Sequence, residues 1–296
     1  MTTLIPNPPS LVPNLPTPVI TRFAPAPTGY LHLGHVLNAI YVWETARASG
    51  RDARVLLRIE DHDRARSRSI FEAALLEDLA WLGFRADGEL TRQSERSALY
   101  ERALEGLRAR GLTYACECSR ADIGAVAYLG TCRDKHLPEA AGFGVRVRLD
   151  STIERFEDLR LGQQEQRPSE QCGDVLVRDR AGNWTYQFAA VVDDWLQSVN
   201  LVIRGEDLLD STGRQIQLAR LIGRAQPPAF LHHELLMKTV TQKLSKSDGD
   251  TGVRDLRAKG WSPEAVIEHA RALAAQSPHH QSLNHLSPNH LLPDRK

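Results

Sequence analysis

The chain has 296 residues, 25% of them charged and 42% hydrophobic, and its 37 basic residues are balanced by 37 acidic ones. That is an ordinary globular composition, long enough for a large core in two domains or in one domain with an insertion. A neutral total neither announces a nucleic-acid binder nor excludes one, no apolar run approaches the roughly 20 residues of a membrane span, and four unevenly spaced cysteines (116, 118, 132, 172) with no apparent secretory leader argue for reduced thiols in the cytoplasm.

In chain order, residues 1–17 hold five prolines and read as a disordered tail. Pro18 to Phe23 reads as a strand, followed by a turn stiffened by Pro25 and Pro27 and released by Gly29. A helix then runs from about Gly34 to Ser49, with His32 and His35 at its start. Free N–H groups and the positive dipole end make a helix N-terminus a place for an anion, above all a phosphate. Arg22 adds a fixed cation at the strand end. Ala53 to Ile59 is a nearly continuous apolar run, suited to a buried parallel strand, and ends at Glu60. A carboxylate there points at the ligand crevice of an open α/β sheet, whereas Asp61 and Asp63 fit an acidic loop capping the next helix. Amphipathic helices follow from Ser69 to Gly83 and from about Ser94 to Arg110.

The regularity then breaks. Cys116, Cys118 and Cys132 offer three soft ligands in a short segment, a set that favours Zn²⁺. Zinc wants a fourth ligand, and Tyr128, Glu117, His136 or water are the candidates, against the plainer reading of three reduced thiols. Cys172 reads as a small buried residue. Val145 to Leu149, Val175 to Arg178 and Trp184 to Phe188 read as short strands of an inserted α+β subdomain, and a helix starts near Val191. Asn200 to Ile203 is a strand ending in Arg204, Glu206 and Asp207. A helix is expected from Ser211 to Gly223, then a strand from Phe230 into a loop, where His232 and His233 read as core or surface residues rather than ligands. The Lys243-Leu244-Ser245-Lys246-Ser247 cluster can hold triphosphate oxygens and follow the charge as pyrophosphate leaves. A last helix covers Ser262 to Ala275, and residues 276–296 read as a second disordered tail.

His32-Leu33-Gly34-His35 together with Lys243-Leu244-Ser245-Lys246-Ser247 resembles the paired HIGH and KMSKS motifs of class I aminoacyl-tRNA synthetases. Arg22 to Gly29, Leu57 to Asp61 and Val202 to Asp207 resemble the glutamyl/glutaminyl branch, over about residues 18 to 275. The resemblance implies a Rossmann-like doubly wound parallel sheet carrying an inserted α+β zinc subdomain. It divides the chain into a first catalytic half (18–110), the insertion (111–190), a second catalytic half (191–240) and a loop with a short helical region (241–275). It implies ATP with Mg²⁺, and an aminoacyl-adenylate passed to RNA. Thr28, His32, Gly34, His35, Lys243, Ser245, Lys246 and Ser247 would hold ATP, with the two histidines and two lysines catalytic. Arg22, Phe23, Ala24, Pro25, Ala26, Glu60, Tyr186 and Arg204 would hold L-glutamate, the arginines meeting its carboxylates and Glu60 its ammonium. Ala26 stands where this branch commonly has Ser, and Ala190 where it often has Asn, so the pocket is expected to be modified. Only 49 residues follow Ser247, which resembles the short members of the branch without an anticodon-binding domain, the glutamyl-Q tRNA(Asp) synthetases. Their zinc site matches Cys116, Cys118, Tyr128 and Cys132, and Gly205 to Thr212 is also similar to theirs. The implied partner is queuosine-modified tRNA(Asp), and the implied state a monomer. A short synthetase charging a tRNA 3′ end, or a non-catalytic RNA-binding relative, are the alternatives.

Overall fold

The computed structural model describes residues 15–64, 66–123, 127–236 and 252–276. Strands β1 (Ile20–Phe23), β2 (Arg54–Ile59) and β3 (Thr91–Arg92) form one parallel sheet in that order. A second sheet has the order β7-β6-β10-β9, from β6 (Glu154–Asp158), β7 (Gly162–Gln166), β9 (Leu201–Gly205) and β10 (Ala229–His233). There β6, β10 and β9 are parallel and β7 closes the edge antiparallel. The sheets meet at β1 and β9, where Ile20 N–H donates to Asn200 Oδ1 at 2.7 Å and Asn200 N–H to Ile20 O at 2.9 Å. Side by side they read β3-β2-β1-β9-β10-β6-β7, so the strand order reverses between β1 and β9. Open α/β sheets bind ligands at such a switch point, outside the carboxyl ends of the strands.

Helix α1 (Leu33–Ser49) carries the chain from β1 to β2 and α2 (Ser69–Trp81) from β2 to β3. The apolar residues of β1, β2, β9 and β10 pack with α1 in one core that includes Phe23, Val36, Ile40, Trp43, Ile59 and Ile203. Gly50 ends α1 at φ 132°, a conformation that favours glycine. Helices α8 (Val253–Ala258) and α9 (Pro263–Ala275) complete this layer, and an Arg271–Glu44 ion pair ties α9 to α1.

The insertion builds a separate antiparallel sheet, β4-β5-β8, from β4 (Thr113–Cys116), β5 (Gly144–Val147) and β8 (Val175–Arg178). Short helices α4 (Arg120–Ile123) and α5 (Pro168–Gln171) sit in its connections. A second core joins this sheet to α3 (Ser97–Arg108), α6 (Tyr186–Leu196) and α7 (Thr212–Leu221) through Tyr100, Leu104, Val147, Val177, Phe188 and Leu218. No helix among the described residues is long and apolar enough to cross a membrane.

Two readings change. The expected strand Trp184–Phe188 is not one: Trp184 makes only a bridge to Arg178, and α6 begins at Tyr186. The aromatic alternation suggests period two, but every residue from Phe188 to Asp194 is buried, as in a helix enclosed on all sides rather than an alternating strand. Asp61 caps no helix after β2; it accepts from Ser94 N–H at 2.8 Å and Ser94 Oγ at 2.5 Å, bracing a 3-10 turn at Gln93–Glu95. Asp63 instead pairs with Arg66.

Candidate active site

The chain leaves β1 through the two prolines and reaches α1 with His32 as N-cap. Pro25 O accepts from Glu60 N–H at 3.0 Å, which ties this loop to the end of β2. His32 Nδ1 accepts from Gly34 N–H at 3.1 Å, and His35 Nδ1 accepts from His32 N–H at 3.2 Å. A backbone N–H only donates, so each neutral imidazole carries its proton on Nε2. Two Nε2–H donors thus stand over a helix start, with ring centroids 4.0 Å apart. A Cβ on residue 34 would lie 2.9 Å from His32 Cε1, so the arrangement requires glycine there.

Beneath the cleft lies a buried ionic network. Arg22 Nε donates to Asp194 Oδ1 at 3.1 Å, and Arg58 Nη1 reaches the same oxygen at 2.8 Å. Arg58 is fully buried, with Glu60 at 3.7 Å and Asp193 at 3.9 Å. Burial raises the Asp194 carboxyl's pKa, but the two guanidinium groups outweigh it and hold the group below its usual range. For Glu60 burial wins over Arg58, Arg22 and His62, and its carboxyl is pushed up.

Arg204, at the end of β9, differs. Its Nε donates to His232 Nε2 at 3.0 Å, Nη1 to Gln215 Oε1 at 2.6 Å and to Tyr186 OH at 3.4 Å, and Nη2 to Thr212 Oγ1 at 2.8 Å. Each partner is neutral. Among the described residues no carboxylate forms an ion pair with this guanidinium, which is 5% exposed, and burial pushes its pKa down from the usual value although Asp194 acts the other way. A buried cation without a counter-ion favours an incoming anion.

These groups line one cleft of about 650 Å³. The expected glutamate residues Arg22, Phe23, Ala24, Pro25, Ala26, Glu60, Tyr186 and Arg204 are on its wall, and so are the expected ATP residues Thr28, His32, Gly34 and His35. Asp207, expected with Arg204 at a crevice edge, also lines it, as do Asn38, Ile203 and His233, which the sequence did not single out for this site. Asn38 Nδ2 lies 2.9 Å from His233 Nε2. An Asn one turn after a His-rich helix start was the available signal. Ala190 is buried but does not line the cleft. Lys243, Ser245, Lys246 and Ser247 lie outside the described residues. Just before α8, Gly252 bridges His32, and Val253 N–H donates to Leu31 O at 3.0 Å.

At the end of β4 the ligand atoms of Cys116, Cys118 and Cys132 lie within 4.8 Å of one another. Cys118 and Cys132 sulfurs are 3.5 Å apart, and Tyr128 OH is 3.5 Å from Cys116 Sγ. Thiolates bound to one tetrahedral zinc at about 2.3 Å stand roughly 3.8 Å apart, so the donor set fits that ion. Of the other protein candidates for a fourth ligand, Glu117 pairs with Lys135 at 2.7 Å, and His136 is exposed. Arg146 lies 3.7 Å above the Tyr128 ring and donates to Cys116 Sγ at 3.3 Å. Cys172 stays apart, its thiol donating to Pro168 O.

Comparison with known proteins adds the following. Residues 18–126 and 131–286 match the model for the catalytic domain of class I tRNA synthetases (E and Q). A glutamyl-Q tRNA(Asp) synthetase of Rhodobacter capsulatus is 42% identical over 278 residues, 84% of this chain and 98% of that one. One from Ectopseudomonas mendocina is 40% identical, with 86% of this chain and 89% of the relative covered. A glutamate–tRNA ligase of Syntrophus aciditrophicus is 38% identical; 86% of this chain spans only 57% of its length. Among solved structures, a glutamate tRNA ligase from Elizabethkingia meningosepticum in complex with its amino acid superposes with a TM-score of 0.73 at 27% identity, over 86% of this chain and 60% of that one.

Proposed function

The chain belongs to the class I tRNA synthetases of the glutamate and glutamine branch, and within it to the glutamyl-Q tRNA(Asp) synthetases; from that premise we propose how its cleft activates L-glutamate with ATP and passes it to the queuosine base in the anticodon of tRNA(Asp). The protein is a ligase with the class I catalytic fold, a parallel sheet flanked by helices. The observation that carries the assignment of glutamate to this cleft is Arg204, a buried cation whose partners are all neutral.

In this reading a substrate carboxylate completes the Arg204 site, and Arg22 meets the second carboxylate. Glu60, held near Arg58, receives the ammonium. The Nε2–H groups of His32 and His35 and the start of α1 hold the phosphates. Glutamate's α-carboxylate oxygen then attacks the α-phosphorus of ATP in line, and the bond to the β-phosphate oxygen breaks to release pyrophosphate. The attacking carboxylate is already anionic, so positioning and charge stabilisation do the work, with no general base. Lys243 and Lys246 would follow the leaving charge, with Mg²⁺ carried by ATP. In the second step a hydroxyl of the modified base attacks the activated carbonyl and AMP leaves. Cys116, Cys118, Tyr128 and Cys132 would hold zinc with four protein ligands and no open position, a bracing role. Residues 18–110 and 191–240 would form the catalytic body, together with the β6–β7 hairpin that joins its sheet, and the rest of 111–190 the insertion. The protein would act as a cytoplasmic monomer.

The test is ATP–pyrophosphate exchange without tRNA. Exchange that depends on glutamate supports the reading; exchange with no amino acid, or with another only, contradicts it.

A further inference from the structure

Arg204 is fixed from behind by a chain of side chains that starts on the β6–β7 hairpin. Asp158 closes β6, its Oδ1 accepting from the N–H groups of Arg160 at 3.0 Å and Leu161 at 2.9 Å. Its Oδ2 accepts from His232 N–H at 3.0 Å and lies 2.7 Å from His232 Nδ1. The other ring nitrogen, Nε2, faces Arg204 Nε at 3.0 Å and Thr212 Oγ1 at 3.2 Å. Asp158 and His232 have fully buried side chains.

The tautomer follows from the donors. Arginine has five N–H donors and no acceptor, so Nε2 must be the unprotonated nitrogen. The ring proton is then on Nδ1 and is donated to Asp158. Four of the five guanidinium N–H groups are committed: one to His232, two to Gln215 and Tyr186, one to Thr212. Gln215 is itself held by Gln187 at 2.8 Å. One N–H, on Nη2, remains for a ligand. A carboxylate placed directly against Arg204 would also orient it, but would cancel its charge and compete with the substrate. An interposed neutral imidazole orients the guanidinium while keeping the negative charge one ring away.

We propose that Asp158 and His232 are positioning residues that set the orientation of Arg204 and, through it, the affinity and selectivity of the cleft for a carboxylate side chain. The assignment rests on the reading of the cleft as a glutamate site. It places one determinant of amino-acid recognition, Asp158, on a hairpin whose residues do not line the cleft.

The test compares His232→Gln with His232→Asn in glutamate-dependent ATP–pyrophosphate exchange. A glutamine amide oxygen reaches the place of Nε2 and still accepts from Arg204; an asparagine reaches only the place of Nδ1. The expected result is a KM for glutamate raised about tenfold to a hundredfold in His232→Asn, a much smaller rise in His232→Gln, and an unchanged KM for ATP in both. In the wild type, nitrogen-15 NMR should find the His232 proton on Nδ1. Equal effects of the two variants, equal losses in both KM values, or a proton on Nε2 overturn the relay while glutamate activation by the wild type stands. A wild type that activates no glutamate overturns the functional reading and this assignment with it.

Discussion

Gly34→Ala is a small substitution with a separable outcome. The new Cβ would lie 2.9 Å from His32 Cε1 and 3.0 Å from Nδ1. Ordinary carbon contacts begin near 3.5 Å, so the ring must retreat by more than about half an ångström. That retreat stretches the 3.1 Å bond from Gly34 N–H to His32 Nδ1. Losing such a cap costs about 1 kcal/mol, while replacing glycine by alanine inside a helix returns up to about 1 kcal/mol. Stability should therefore barely move. Catalysis should, because an imidazole displaced by roughly 1 Å from a transferring phosphate costs up to about a hundredfold in rate. The assay is ATP–pyrophosphate exchange beside a thermal melt. The expected result is kcat down tenfold to a hundredfold, by the same rough estimate, with Tm within a few degrees and the KM for glutamate little changed. Wild-type kcat, or a loss of activity explained by unfolding, would refute the role given to His32.

The other predictions concern different parts of the molecule. Arg204→Gln removes the cation that lacks a counter-ion, and the KM for glutamate should rise by about a hundredfold with that for ATP unchanged, as a titration of each substrate will show. Asp78 is fully buried under α8, and among the described residues neither of its carboxylate oxygens has a hydrogen-bond partner; Arg254 Nε is 3.6 Å away. Burial pushes its pKa up from 3.8 to about 6. A raised folded-state pKa gives stability that is fully present below the unfolded value of 3.8 and is lost as pH rises through about 6. The ionised group then costs up to about 3 kcal/mol at neutral pH, since a tenfold change in proton affinity is worth about 1.4 kcal/mol. Asp78→Asn should therefore raise Tm at pH 8 more than at pH 5; an equal change at both would contradict the argument. Elemental analysis should find about one zinc per chain, and Cys132→Ser should lose it and melt earlier. A fully stable wild type without metal would remove zinc from the account.

The loop between β1 and α1 was legible because its chemistry is local: prolines, a glycine and two histidines act within a few residues of one another. The cleft residues Glu60 and Arg204 were legible because each interrupts the end of an apolar strand. The β6–β7 hairpin was not. Its buried positions include Glu154 and Asp158, which pair with Arg220 and His232, so hydrophobic periodicity is silent there. The Arg58–Asp194 pair spans 136 residues, and no window along the chain can report it. Arg58 was nevertheless a signal in hindsight, since a lone arginine in a buried strand needs a buried partner. Tyr186 lines the cleft with the other expected residues, but from a helix rather than the expected strand, because aromatic alternation mimics a strand at the start of α6.

The central claim is that a glutamate activated in this cleft goes to a modified base. The most direct test offers radiolabelled glutamate and ATP with tRNA(Asp) that carries queuosine and with the same tRNA lacking it. The account predicts label on the queuosine-containing tRNA alone. Label on both forms, or on tRNA(Glu) instead, would contradict it.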